Sequence, residues 1–197
     1  MMQQEIHPWN WYLPPEARTL IIGTFPPTLR NWSFDFFYPN KNNYFWKIMA
    51  RIAGRELQYL TGEEAVRERK EILCQLKTGV SDMGKIIQRK AGNSLDQNLE
   101  IVKYMDIFRL LQENPSVRKI IFTSSSGPSS AIRWFKEYLA LANIDFKIPK
   151  GKRPLQTSVV IQGKSMEIVL LYSTSPLAGA TIAFDRLVAL YKSELIA

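Results

Sequence analysis

The stretch Leu20-Ile21-Ile22-Gly23-Thr24-Phe25-Pro26-Pro27 decides the fold. Its short apolar run reads as a buried strand that stops at Gly23 and breaks into a proline-rich turn. A strand ending in such a turn is where α/β proteins place ligands. Residues 28–43 then read as a loop, yet they carry Trp32, Phe34, Phe36, Phe37 and Tyr38, with Tyr44 just beyond. Loops that face water do not keep that composition, so either something flat binds there or the loop folds back as a lid on the core. Asn42-Asn43 is a good N-cap pair for a helix over residues 44–53, stopped by Gly54.

Upstream, residues 1–18 carry Trp9, Trp11, Tyr12 and several prolines, which predicts an irregular arm laid over the domain by its aromatics. His7, the single histidine, sits in this arm beside Pro8 and is expected at the surface rather than in acid/base chemistry. Downstream, Thr61-Gly62-Glu63-Glu64 has the form of a capping box for a charged helix to Leu76, whose Glu and Arg residues are expected on a solvated face. Cys74 falls in that helix and is expected to be a buried, inert thiol. Residues 77–83 read as a second strand end with Asp82 at its tip, either capping the next turn or serving a site. Short helices are expected after Ser94 and Asp96 and over residues 105–113.

Residues 117–123 form a clear strand pattern, and Ser124-Ser125-Ser126-Gly127-Pro128 leads from it into a helix to Leu141. Such a turn presents backbone N–H groups and can hold an anion such as a DNA phosphate, although it is no P-loop. Lys147, Lys150, Lys152 and Arg153 crowd the next connection and read as solvated charges or phosphate contacts. Two strands around Gln162-Gly163-Lys164-Ser165 follow, the second ending in Tyr172-Ser173-Thr174-Ser175-Pro176-Leu177-Ala178-Gly179. An amphipathic helix closes the chain.

Strands alternating with helices predict a three-layer αβα domain with a mainly parallel central sheet, over residues 19–197, with the arm packed on it. The loops after Ile22, Phe122 and Leu171 should meet at the carboxyl edge of that sheet. A chain of 197 residues, 46% apolar, suits one core. A net charge of +8 and a pI near 9.6 favour an anionic partner such as nucleic acid. No apolar stretch approaches 18 residues, and a signal-peptide pattern is absent, which predicts a soluble, cytoplasmic protein.

The first motif, Gly23-Thr24-Phe25-Pro26-Pro27 followed by the aromatic loop and Tyr38-Pro39-Asn40-Lys41-Asn42-Asn43-Tyr44-Phe45-Trp46, resembles that of the uracil-DNA glycosylase superfamily. The mismatch-specific and hypoxanthine-DNA glycosylase branches are the nearest. Leu171-Tyr172-Ser173-Thr174-Ser175-Pro176 is similar to the second motif of the hypoxanthine branch, and Gly79-Val80-Ser81-Asp82 and Ser94-Leu95-Asp96 resemble its middle region. The resemblance implies a monofunctional DNA glycosylase that flips out a deaminated base, uracil or hypoxanthine, and hydrolyses its N-glycosidic bond without metal or cofactor. It would be a monomer that takes damaged DNA as partner.

The resemblance also implies the site. Asn43 and Asp82 would carry the catalytic polar groups, with Gly23, Thr24, Phe25 and Tyr38 around the base and Tyr38 stacked on it. Ser124, Lys150, Lys152, Arg153, Ser173 and Ser175 would meet DNA, and Leu177 would wedge into the duplex. The sequence departs from the family at Phe25, where several branches have a water-activating Asn or Asp, and at Leu171-Tyr172. That departure supports a second reading, a DNA- or nucleotide-binding domain of the same fold without catalysis; a third is an unrelated α/β domain whose aromatic loop is a protein interface.

Overall fold

The structure is a computed structural model that describes residues 4–91, 93–123, 127–175 and 182–196. Strands β1 (Gln4–Ile6), β2 (Trp11–Tyr12) and β3 (Thr19–Gly23) open the chain, followed by helices α1 (Phe45–Ile52) and α2 (Gly62–Gln75). Then come β4 (Thr78–Asp82), β5 (Gly84–Arg89), β6 (Leu99–Tyr104), α3 (Ile107–Glu113), β7 (Lys119–Phe122) and α4 (Ala131–Leu141). The hairpin β8 (Leu155–Ile161) and β9 (Lys164–Leu170) precedes helix α5 (Phe184–Leu195).

The central sheet has the order β2-β4-β3-β7-β9-β8, parallel across β4, β3, β7 and β9 with an antiparallel strand at each edge. Its central strands are apolar throughout because both faces are covered. Side chains alternate across the pleat, so Ile21, Val80, Ile121 and Val169 pack under α1, α2 and α5. Leu20, Ile22, Ile120, Phe122, Ile168 and Leu170 pack on the opposite face against α3 and α4. The three-layer architecture is therefore the one the sequence predicts.

Five differences from the sequence reading have local causes. The arm is not irregular: β1 pairs antiparallel with β5, and β2 pairs with β4, so it extends two sheets. Residues 84–104 form two strands of a second sheet, β1-β5-β6, which the sequence reading passed over. Thr61 sits at the extended N-cap position of α2, but its side chain makes no capping bond. Within α2, Glu68 and Arg69 are buried and bonded to each other at 2.7 Å, because the chain at Gln58 and Tyr59 lies across them: the Gln58 N–H donates to Glu68 and Arg69 Nη1 donates to the Tyr59 carbonyl, while Arg69 Nε has no partner among the described residues. Cys74, by contrast, is exposed, since α2 turns Ala65, Ile72 and Leu73 inward.

The aromatic loop folds back. Phe34, Phe36 and Phe37 are core residues, and Trp46 Nε1 on α1 donates to the Phe37 carbonyl at 2.9 Å. Only Trp32 and Tyr38 of the loop's rings keep a share of the surface. Helix α1 ends before Gly54, whose φ of 68° is the left-handed conformation a helix stop uses.

Candidate functional site

The parallel register sets the ends of β3 and β4 side by side, with Gly23 opposite Asp82, while Ile22 pairs with Phe122 and Phe122 with Leu170. The carboxyl ends of four strands thus form one ledge, and the turns that leave it carry most of the expected site residues. Asp82 is 7% exposed and its Oδ1 crowds Gly23, because a Cβ placed on Gly23 would lie 2.3 Å from that oxygen and 3.2 Å from the Tyr38 hydroxyl. Glycine at position 23 is what lets the carboxylate and the phenol approach the same patch of backbone.

Tyr38 holds a left-handed φ of 51°, a conformation that costs a non-glycine residue of order 1–3 kcal/mol. It is kept there by its ring, stacked on Phe45 with centroids 3.7 Å apart and planes 11° apart, and by a 3.0 Å hydrogen bond between its hydroxyl and Thr123 Oγ1. One ring face is therefore already used, so a base would have to stack on the other. Burial first, and then the charge of Asp82, push the Tyr38 phenol well above its ordinary range against the opposing pull of Thr123. The hydroxyl stays protonated.

Around this centre, the Thr24 hydroxyl donates to Asp96 Oδ2 at 2.8 Å, and the carbonyls of Gly23 and Thr24 accept from Met83 and Gly84. Phe25 packs edge-on to the His7 ring at 5.3 Å and lies beneath the Arg89 guanidinium. Its contacts are with the protein's own interior.

His7 overturns the sequence reading. It is not at the surface but 1% exposed, and its Nε2 lies 2.9 Å from Asp82 Oδ2. The partners are 75 positions apart, and only the pairing of β1 with β5 brings them together. Nothing in the local sequence signals it, because a histidine next to proline in a terminal segment is ordinarily solvated.

Helix α1 starts one residue later than expected, with Tyr44 at its N-cap position, but Asn43 still braces the helix start: its Oδ1 accepts from the Phe45 N–H at 2.9 Å, which fixes the amide orientation and leaves Nδ2 as a free donor among the described residues. The next residue ties the two motifs together, since the Tyr44 N–H donates to the Thr174 carbonyl at 2.9 Å. Ser173 Oγ accepts from the Ser175 N–H in a local turn. The Arg153 guanidinium lies 5.9 Å from the centroid of the Tyr172 ring, which sets the basic connection beside the second motif, with Lys150 and Lys152 exposed. Ser124 and Leu177 lie outside the described residues. Among the described residues no group of His, Cys, Asp or Glu is arranged to hold a metal ion, and no helix is long and apolar enough to cross a membrane.

No family model matches the sequence, and no curated protein does. A solved structure does match: a candidate uracil DNA glycosylase from Methanosarcina acetivorans superposes with a TM-score of 0.58 at 19% identity, covering 93% of this chain and 94% of that one. The fold is uracil-DNA-glycosylase-like. In open α/β sheets ligands bind outside the carboxyl ends of the strands, which is where the ledge lies.

The role of Asn43 can be separated from its cap. Loss of the cap alone costs roughly 1 kcal/mol of stability. If Nδ2 also donates to a leaving group, Asn43→Ala should lower excision by roughly 100-fold, the scale of removing one preorganised donor. Single-turnover rates measured beside the thermal midpoint check this, and a normal rate in a slightly less stable protein makes Asn43 a cap alone.

Proposed function

We propose that this protein is a monofunctional DNA glycosylase that hydrolyses the N-glycosidic bond of a deaminated base, uracil or hypoxanthine, extruded from DNA. The observation that carries the reading is the meeting of Gly23, Tyr38, Asp82 and Thr123 at the strand ends, with the two motifs joined through Tyr44 and Thr174. The fold likeness supports it. An extruded base would stack on the face of Tyr38 turned away from Phe45, beside Gly23 and Thr24. Asp82 Oδ1 would accept the proton of a water whose oxygen bonds to the sugar C1′ as the bond from C1′ to the base nitrogen breaks. The base leaves with that electron pair, and Asn43 Nδ2 is the donor that would steady its charge. No lysine stands among these residues, so hydrolysis is proposed rather than a Schiff-base route.

Ser173, Ser175, Lys150, Lys152 and Arg153 are proposed to meet phosphates, with Ser124 and the wedge Leu177 completing the DNA face. Replacing Lys150, Lys152 and Arg153 together by Ala should weaken binding to lesion and normal duplexes alike. It should flatten the salt dependence by roughly one charge per lost phosphate contact. An unchanged slope assigns this connection to solvation.

A second reading has its own support: Phe25 is spent on packing where other branches hold a polar residue, so the chain could bind DNA of this kind without cutting it. Duplexes carrying a single uracil or a single hypoxanthine, treated with alkali after incubation, decide between the two. The glycosylase reading requires scission at one of the lesions and none in the undamaged control. Lesion binding without scission leaves the binding domain.

A further inference from the structure

His7 is a buried titratable side chain at the ledge that the reaction outlined above does not use. The backbone N–H of Trp9 points at its Nδ1 from 3.1 Å. That group can only donate, so Nδ1 carries a lone pair and the ring proton sits on Nε2, the atom 2.9 Å from Asp82 Oδ2. The imidazole is therefore neutral and donates to the carboxylate. The rings of Trp9, Phe25 and Phe37 surround it with centroids at 5.5, 5.3 and 5.7 Å, which leaves it no path to a substrate.

With Oδ2 held by His7, the other carboxylate oxygen is the one turned toward Gly23, and among the described residues it has no hydrogen-bond partner. We propose that His7 is the positioning residue of this site, fixing the Asp82 carboxylate so that Oδ1 faces the substrate. This rests on the reading of Asp82 as the group that takes the water's proton. The N-terminal arm is then part of the active centre. The β1–β5 ladder runs on through the bond from the His7 N–H to the Lys85 carbonyl at 2.8 Å, and Arg89 of β5 grips Glu5 of β1 at 2.8 Å. Both contacts hold His7 in register with Asp82. A carboxylate free to rotate would spend part of its time with neither oxygen aimed at a water, which is why groups that orient a reacting side chain affect rate more than binding.

Because His7 is the single histidine of the chain, a long-range proton–nitrogen spectrum of the intact protein reads its tautomer without assignment. The expected pattern is a neutral ring protonated at Nε2, with a shift that moves in Asp82→Asn. His7→Phe keeps a ring in the cage but removes the donor. It should lower kcat for lesion excision by roughly 10- to 100-fold with KM nearly unchanged. His7→Gln can present an N–H from nearly the same place and should recover most of that loss.

A ring protonated at Nδ1, a His7→Phe rate within about twofold of wild type, or equal losses in both variants that track a fall in thermal midpoint would overturn the positioning role. A wild-type protein that cuts no lesion would overturn the glycosylase reading and with it the kinetic role. The spectrum still decides in that case whether His7 orients Asp82.

Discussion

Asp82→Asn should lower the rate of base excision by roughly 10²- to 10⁴-fold, the range spanned by removing a general base, and should leave the fold nearly as stable as before. The two halves of that expectation come from the same hydrogen bond. His7 Nε2–H donates to Oδ2 at 2.9 Å, and an asparagine carbonyl can accept that bond from the same place, weaker than a carboxylate's but leaving no donor unpaired. The amide nitrogen then takes the place of Oδ1 beside Gly23, where it fits but cannot receive a proton. Chemistry is lost while packing is kept. Single-turnover excision on a single-lesion duplex, with the thermal midpoint measured on the same preparation, tests both. A rate within about tenfold of wild type would take the proton-accepting role away from Asp82 and leave the reaction to oriented donors such as Asn43.

The parts of this site that were legible in the sequence are those whose signal is local. Gly23 closes an apolar run and Asp82 closes another, so both could be set at strand ends from pattern alone, and the parallel register then brings them together. Asn43 stands just before the helix start, and its side chain does accept from the first N–H of α1. His7 was misread because its burial is decided by a strand pairing with residues 85–88, a contact that hydrophobic period cannot express. The buried pair Glu68 and Arg69 was misread for a related reason. Their positions on α2 say helix, but it is the chain at Gln58 and Tyr59 that covers them and bonds to both. The aromatic loop was legible in kind only. Its composition demanded burial, and the structure spends Phe34, Phe36 and Phe37 on the core while leaving Tyr38 at the ledge, a division set by α1 through Trp46 and Phe45.

Gly23→Ala should be as damaging as any change at this site, although it adds a single methyl group. The backbone there needs no left-handed angle, so alanine is not strained by its own conformation, and the whole cost is steric. The new Cβ would stand 2.3 Å from Asp82 Oδ1 and 3.2 Å from the Tyr38 hydroxyl. A surface carboxylate would swing away at little cost, but this one is held by His7 through its other oxygen and is 7% exposed. It must therefore either break that bond or push Tyr38 off Thr123. Overpacking of this kind costs roughly 1–3 kcal/mol of stability, and the displaced carboxylate should bring the excision rate down to about that of Asp82→Asn, a loss of roughly 10²- to 10⁴-fold. The clash and the catalytic loss share one cause, so they should vanish together when the carboxylate is removed. In an Asp82→Ala background, adding Gly23→Ala should cost much less, only the 3.2 Å approach to the Tyr38 hydroxyl remaining to be relieved, giving a coupling of roughly 0.5–3 kcal/mol between neighbouring positions. Thermal midpoints and rates of the two single variants and the double close the cycle. Additive losses would mean that alanine at position 23 is relieved against some other group, and that the carboxylate does not occupy the spot beside Gly23 from which it is proposed to reach a water.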